Sequence, residues 1–364
     1  MRLTLLALSL LLAIPAGAQT ASPVRIAIVG MSHGHVGWIL GRPDRGDIQV
    51  VGIYETDQQL IDRLAGHYHF DKSLVYDDLG AMLDAVKPDA VVGFGSVFDH
   101  LKVVEAAAPR KIDVMVEKPL AANLEQAERM AALTRQNGIH LIVNYETTWY
   151  ATTEAVQQIV HDGELGPVRK IVVHDGHQGP IEIGVSSEFL AWLTDPVLNG
   201  GGALMDFGCY GADLVTAIMD GQAPLTVTAV TQQIKPDEYP KVDDEATFIL
   251  TYPKAQAILQ ASWNWPFNRK DLEVYGTTGY VKTVDGQNMR VRKEGEAQPT
   301  ALTLDPRPVP FDDPFAYFAA VVRGDVVVQD GDLASLPTNV TVMRILDAAT
   351  RSAKEGRTIT LSAP

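Results

Sequence analysis

Between residues 24 and 143 the sequence alternates short apolar runs, rich in β-branched residues, with amphipathic stretches of helical spacing. Apolar strands that alternate with helices are typical of a parallel sheet covered on both faces. The alternation therefore predicts a doubly wound, nucleotide-binding domain. Its predicted strands are 24–29, 48–54, 90–94, 113–116 and 140–143, and its predicted helices are 33–40, 57–65, 79–86, 97–108 and 124–137.

The pattern changes after about residue 150. A predicted helix at 153–161, a strand at 168–174 and a helix at 202–219 precede six strands with no helix between them, at 225–233, 246–252, 255–263, 271–275, 280–283 and 289–292. Such a run predicts a large, open, mostly antiparallel sheet. We expect an α/β chain with a Rossmann domain at 19–148 and an α+β domain at 149–364. Two helices, at 314–323 and 339–355, are predicted at the end of this second domain. We expect the second of them to pack back on the first domain.

The first 18 residues have the pattern of a Sec-type signal peptide. Arg2 precedes an apolar run at 5–14, and Ala16 and Ala18 supply an Ala-x-Ala cleavage site. The run is about half of the roughly 20 apolar residues that a membrane anchor needs. We therefore expect cleavage after Ala18 and a periplasmic or secreted protein.

Charge and cysteine content exclude several classes of function. The chain has 45 acidic and 30 basic side chains, a formal net charge of −15, and no basic cluster longer than pairs such as Arg110-Lys111. Such a chain is repelled by nucleic acid and by anionic membranes. The one cysteine, Cys209, excludes an intramolecular disulfide and a cysteine-rich zinc site.

The turn after the first predicted strand could bind a dinucleotide. Gly30 takes the first position of the pattern G-x-G-x-x-G, but Ser32 and His35 replace the other two glycines. For His33 and His35 we favour an ordinary helix start over a metal site, and we expect no metal. Glu55 ends the second strand, where a carboxylate accepts hydrogen bonds from ribose hydroxyls and repels a 2′-phosphate. NAD is therefore favoured over NADP.

Two further motifs lie where chemistry is expected. Lys118, in Glu117-Lys118-Pro119, follows a strand at the carboxyl edge of the sheet, where ligands of doubly wound folds bind. The run 200–210 begins with three glycines, which we expect to free the first amides of a helix for a ligand. Asp206 and Tyr210 stand four residues apart on that helix and share a face.

With these motifs the chain resembles the Gfo/Idh/MocA oxidoreductases. The resemblance covers residues 24–361 and rests on Glu117-Lys118-Pro119, the run 200–210, the segment 163–166 and the segment 355–357. It implies a nicotinamide cofactor, a sugar or polyol substrate, and a homodimer or homotetramer formed through the open sheet. Tyrosine at position 210 is similar to the glucose–fructose oxidoreductase and dihydrodiol dehydrogenase branch, whereas Thr148 stands where the family usually has arginine.

The resemblance assigns roles to residues. Lys118 would contact the reacting hydroxyl, Asp206 would help to hold the substrate, and Tyr210 would give or take the proton. The candidate cofactor-binding residues are Gly30, Ser32, His33, Glu55, Ser96, His100, Glu117 and Lys118. The candidate substrate-binding residues are Trp149, His174 and His177.

A carbinol carbon can release hydride only as its hydroxyl loses a proton, so a base must lie within hydrogen-bonding distance. A free tyrosine is a poor base near neutral pH, and we expect Lys118 to lower the pKa of Tyr210. Trp263 and Trp265 lie two residues apart on a predicted strand and are expected to share a face, which we assign to a subunit interface rather than to sugar stacking.

The sequence leaves three functions open. The first is an exported oxidoreductase with a tightly bound NAD or NADP, acting on a carbohydrate hydroxyl. The second is an NAD-dependent glycosidase that oxidises a ring hydroxyl transiently, eliminates the aglycone and reduces the product again. The third is a sugar-binding relative without catalytic activity.

Export is directly testable. Because the signal peptide is predicted to end at Ala18, a Gram-negative host should yield a soluble periplasmic protein that begins at Gln19. Periplasmic extraction followed by N-terminal sequencing checks this. A cytoplasmic product that still begins at Met1 would contradict it.

Overall fold

A computed structural model describes residues 22–361, so the predicted signal peptide lies outside the described residues. The first half forms the expected parallel sheet, with six strands instead of the five predicted, in the order β3-β2-β1-β4-β5-β6. Its strands are β1 (Val24–Val29), β2 (Ile48–Tyr54), β3 (Val75–Tyr76), β4 (Ala90–Gly93), β5 (Asp113–Glu117) and β6 (Leu141–Asn144). Its helices are α1 (Val36–Leu40), α2 (Gln58–Tyr68), α3 (Leu79–Val86), α4 (His100–Ala107) and α5 (Leu124–Asn137).

The strand order reverses between β1 and β4, and in doubly wound folds ligands bind outside the carboxyl ends of the strands at such a point. Local signals explain where the helices begin. The Asp57 carboxylate caps α2 by accepting hydrogen bonds from the amides of Gln59 and Leu60. Helix α1 begins at Val36, three residues later than predicted, because the preceding residues form the turn after β1.

The second half forms a nine-stranded sheet in the order β14-β13-β12-β11-β7-β10-β9-β8-β15. Its strands are β7 (Lys170–Gly176), β8 (Thr226–Gln232), β9 (Glu245–Thr251), β10 (Gln256–Ser262), β11 (Arg269–Tyr275), β12 (Gly279–Thr283), β13 (Asn288–Lys293), β14 (Thr300–Thr303) and β15 (Ile359–Thr360). The β7–β10 pair is parallel and the other seven pairs are antiparallel. The prediction of a mostly antiparallel sheet is confirmed.

The helices of this half are α6 (Ala151–His161), α7 (Ser187–Leu193), α8 (Ala203–Asp206), α9 (Gly208–Ile218), α10 (Pro314–Arg323) and α11 (Leu336–Glu355). The predicted single helix at 202–219 is wrong in one respect, because it breaks at Phe207 into α8 and α9. Helix α7 and the short strands β3, β14 and β15 were not predicted.

One face of the larger sheet is buried under α9 and α11, since side chains along β7, β9 and β10 alternate between buried and half-buried. The last two helices join the halves of the chain. Helix α11 also packs on α5 and β6, and α10 packs on β1 and β2 with Phe315 and Phe318 in the core. Within residues 22–361, no helix is both long and apolar enough to cross a membrane.

Candidate active site

Two neighbouring cavities lie at the carboxyl edge of the parallel sheet. The turn cavity, of about 310 Å³, follows β1 and is lined by residues that include Gly30, Ser32, Glu55, His100 and Glu188. The central cavity, of about 450 Å³, is lined from both halves of the chain, by residues that include His33, His35, Lys118, Glu146, His177, Asp206, Tyr210 and Lys270. Nine of the predicted site residues therefore line one or the other of these two cavities.

The turn after β1 is shaped to bring a ligand close to the backbone. Gly30 has a φ of +76°, and a Cβ there would lie 2.9 Å from the backbone of Gly95. Only glycine fits such a position without strain. Ser32 and His35, at the two positions where the pattern has glycine, each contact a tryptophan. The Ser32 hydroxyl accepts a hydrogen bond from the Trp192 indole at 3.0 Å, and the His35 ring stacks on Trp38.

Glu55 lies in the wall of the turn cavity, as its position at the end of β2 predicts. Its carboxylate accepts hydrogen bonds from the amides of Met31 (2.9 Å), Thr56 (2.7 Å) and Asp57 (3.0 Å). These bonds hold an anion at the place where a dinucleotide of a doubly wound fold presents its adenosine ribose. The turn and this carboxylate together fit NAD and disfavour a 2′-phosphate.

Glu117 is buried below His35 and does not itself line the central cavity. Its carboxylate lies 3.0 Å from His35 Nδ1 and accepts a hydrogen bond from Asn144 at 2.8 Å. Burial by itself raises the pKa of Glu117, but the His35 ring and these hydrogen bonds lower it to about 2. Glu117 is therefore an anion that fixes the position of His35.

His33, His35 and Glu117 offer ligand atoms within 4.8 Å of one another, a spacing that a divalent ion could bridge. Their hydrogen bonds already account for the cluster. His33 Nδ1 accepts from the His35 amide at 3.1 Å, which places the proton of the neutral ring on Nε2. Burial lowers the pKa of His33 well below its usual value. The absence of a metal stays a prediction.

Lys118 and Asp206 form a buried ion pair that joins β5 to α8. The Lys118 ammonium donates to the Asp206 carboxylate and, at 3.1 Å, to its backbone carbonyl. Burial by itself lowers the pKa of Lys118, but the Asp206 charge raises it above its usual value. The other Asp206 oxygen accepts from the Trp263 indole at 3.0 Å. Trp263 is fully buried, so its assignment to a subunit interface was wrong.

Tyr210 faces a second lysine, which the sequence did not reveal. The Lys270 ammonium lies 3.4 Å from the Tyr210 hydroxyl and is paired with the Glu146 carboxylate. Lys118 lies over the Tyr210 ring, 5.3 Å from its centre, and bonds Asp206 instead of the hydroxyl. Burial raises the pKa of Tyr210 well above its usual value, and the Glu146 charge raises it further. The expected lowering by Lys118 is not seen in this arrangement.

The three glycines before α8 serve the chain's own packing. The amides of Gly202 (3.1 Å) and Leu204 (2.7 Å) donate to the Asp243 carboxylate, and the Ala203 amide donates to the Asp243 carbonyl at 2.9 Å. A Cβ on Gly202 would lie 1.8 Å from that carbonyl. The expectation that these amides are free for a ligand was therefore wrong.

Of the remaining candidate site residues, two line one of the two cavities and three do not. His177 lines the central cavity and His100 lines the turn cavity, and burial lowers the pKa of both. His174 does not line the central cavity. Its Nδ1 lies 2.9 Å from the carboxylate of Asp271, and Asp271 does line that cavity. Trp149 lies outside the central cavity and donates to Asn144, and the buried Ser96 hydroxyl donates to Asp99.

Residues 24–145 match a family model described as an oxidoreductase family with an NAD-binding Rossmann fold, and residues 153–282 match the GFO/IDH/MocA C-terminal domain. The chain belongs to the Gfo/Idh/MocA oxidoreductase family. The inferred resemblance, the fold class and NAD binding are thereby confirmed, and the chain is an NAD(P)-dependent oxidoreductase acting on CH–OH groups.

The chain is similar to several named dehydrogenases, two of which are named for a sugar or a glucoside substrate. D-Xylose 1-dehydrogenase [NADP(+)] of Haloarcula marismortui is 24% identical over 319 residues, which are 84% of this chain and 85% of the relative. D-Glucoside 3-dehydrogenase of Escherichia coli is 29% identical over 218 residues, 58% of each chain. The structure of an inositol dehydrogenase homologue from Azotobacter vinelandii, complexed with NAD+, superposes with a TM-score of 0.80 at 20% identity and covers 94% of this chain and 98% of that chain.

The position of Glu55 predicts the cofactor preference. Replacing Glu55→Gln should weaken NAD more than NADP, because the amide keeps one acceptor for the turn but removes the charge that repels a 2′-phosphate. Calorimetric titration with both dinucleotides measures the change in their affinity ratio. Glu128→Gln, at an exposed position of α5 away from the turn, is the matched control. An equal loss for both dinucleotides would contradict the role of Glu55.

Proposed function

We propose that this chain transfers hydride between a carbohydrate hydroxyl and a bound nicotinamide cofactor, with NAD preferred. The observation that carries the proposal is the meeting of Lys118, Asp206 and Tyr210 in a cavity directly beside the glycine turn. The names of the relatives support a sugar or polyol as the substrate. The many polar groups of the cavity could satisfy the hydroxyls of such a molecule.

The residues of the chain would act on the substrate's proton and position. When bound, NAD supplies the hydride acceptor. Tyr210 would take the hydroxyl proton, and its raised pKa means that the phenolate must be stabilised by nearby cations. Lys270, 3.4 Å from that hydroxyl, is the nearest such cation. Lys118, held by Asp206, would donate to the reacting oxygen and stabilise the charge that develops there.

Export and assembly remain part of the proposal. A periplasmic or secreted location would require the enzyme to hold its cofactor through many cycles, because free dinucleotide is scarce outside the cytoplasm. We also propose that the half-buried face of the nine-stranded sheet joins two or four copies of the chain.

One experiment separates the three functions that the sequence left open. Purified protein is analysed for bound dinucleotide by absorbance and mass spectrometry, and then incubated with aldoses, polyols and aryl glycosides. Net formation of NADH with a free sugar or polyol supports the proposed oxidoreductase. Release of aglycone without net NADH supports the glycosidase. A protein that binds sugar but no dinucleotide at millimolar concentration would contradict the proposal.

Lys118 and Tyr210 are expected to act as a unit. Lys118→Met and Tyr210→Phe should each reduce turnover at least about 100-fold, the lower end for a positioned acid or base. The double variant should lose little more than either single variant, since groups that work together are not additive. Steady-state rates measure this, and bound NAD should remain in all three proteins. Wild-type turnover in Tyr210→Phe would remove the tyrosine from the mechanism.

Lys270 and Glu146 should shift the pH dependence of turnover in opposite directions. Lys270→Met removes the cation at the Tyr210 hydroxyl, so the rising limb of the kcat/KM profile should move to higher pH and the rate at neutral pH should fall. Glu146→Gln removes an anion that raises the pKa of Tyr210, so the limb should move to lower pH. Lys270→Arg keeps the charge and should leave the limb near its wild-type position. Unshifted profiles in both charge-removing variants would contradict this role.

A further inference from the structure

Helix α7 comes from the second half of the chain but lies against the dinucleotide turn of the first. The buried Trp192 indole donates a hydrogen bond to the Ser32 hydroxyl, across 160 residues of sequence, at 3.0 Å. The Phe189 and Trp192 rings pack on His33, with centroids 4.6 and 5.8 Å away. The turn after β1 is thus covered by aromatic side chains at Ser32 and His33.

A second contact fastens the same helix. Glu188 of α7 pairs with Arg63 of α2, and Arg63 Nη1 donates to Glu188 Oε2 at 3.2 Å. Glu188 also lines the turn cavity, together with Gly30 and Glu55. Because half of the Arg63 side chain is exposed, this pair adds little to stability.

Ser32 stands where the dinucleotide pattern has its second glycine, the residue that lets the backbone approach the pyrophosphate. A glycine offers no side-chain acceptor, whereas the serine hydroxyl gives the Trp192 indole a partner. The departure from the glycine pattern therefore has a structural explanation: it provides the attachment point for α7. Without Ser32, the indole N–H of a buried tryptophan would have no partner at this place.

We propose that α7 is a wall of the dinucleotide site, and that the Trp192–Ser32 hydrogen bond slows release of the bound nicotinamide cofactor. This inference rests on the proposed function, since it concerns the same cofactor. A dinucleotide in the turn cavity is bounded by α7 through Glu188, so its departure is linked to the contacts that hold α7 on the turn. Slow release would let the enzyme keep its cofactor outside the cytoplasm, where free dinucleotide is scarce.

The test measures cofactor release and needs no sugar substrate. Full-length protein, as purified, is loaded with NADH and mixed with a large excess of NAD, and the decay of NADH fluorescence gives the dissociation rate. Trp192→Phe and Ser32→Ala should each raise this rate at least about 3-fold. Trp265→Phe, which removes an indole remote from the turn, should leave it unchanged. Arg63→Gln, which breaks the exposed pair at a residue outside the turn cavity, should raise it less than about 2-fold.

The double variant of Ser32→Ala and Trp192→Phe shows whether both substitutions speed cofactor release by removing the same hydrogen bond. If both changes act through one hydrogen bond, its dissociation rate should match that of the faster single variant. If the rate increase of the double variant instead equals the product of the two single increases, Ser32 contacts the cofactor directly, and the proposal is overturned. Thermal unfolding without nucleotide should show a cooperative transition for Ser32→Ala at a somewhat lower midpoint than for the wild type, because the Trp192 indole loses its hydrogen-bond partner.

The outcomes distinguish this inference from the proposed function. If the wild type binds NADH and all variants release it at the wild-type rate, the role of α7 is wrong while the oxidoreductase proposal stands. If the wild type binds neither NADH nor NAD at millimolar concentration, the oxidoreductase proposal fails and the role of α7 fails with it.

Discussion

The buried ion pair between Lys118 and Asp206 connects the two halves of this protein at its reactive centre. Lys118 directly follows strand β5 of the parallel sheet, and Asp206 ends a short helix that lies on the antiparallel sheet. Trp263 completes the arrangement by donating to the second carboxylate oxygen. A charge removed from water in this way is stable only when it is paired and hydrogen-bonded. The relative position of the two halves therefore decides whether the site exists.

Tyr210 illustrates how burial sets the chemistry. The side chain is almost fully buried, so the neutral phenol is favoured and a phenolate needs cations close by. The cavity contains two lysines, and each is partly neutralised by its own carboxylate, Lys118 by Asp206 and Lys270 by Glu146. The balance between these two ion pairs, rather than either lysine alone, determines how easily the tyrosine accepts a proton.

The glycines and the serine of the two motifs have different physical roles. Gly30 is required by a positive φ and by the closeness of Gly95, so it shapes the turn. Gly202 is required by the backbone carbonyl of Asp243, so it packs the chain against itself. Ser32 breaks the glycine pattern and makes a side-chain hydrogen bond to α7. Motif letters alone do not distinguish a glycine that faces a ligand from one that faces the protein.

Sequence periodicity predicted most strands of both sheets, because the hydrophobic pattern of a strand is local, whereas the short strands β3, β14 and β15 were missed. The spacing of the motifs likewise determined Lys118, Asp206, Tyr210 and Glu55 as candidates. Helix α7 was missed because seven residues are too few to establish a helical period. Only the tertiary structure showed that Lys270 contacts Tyr210 and Glu146. It alone also showed that Trp192 contacts Ser32. These partners lie 60, 124 and 160 residues apart, and no local pattern encodes which distant side chains two packed sheets bring together.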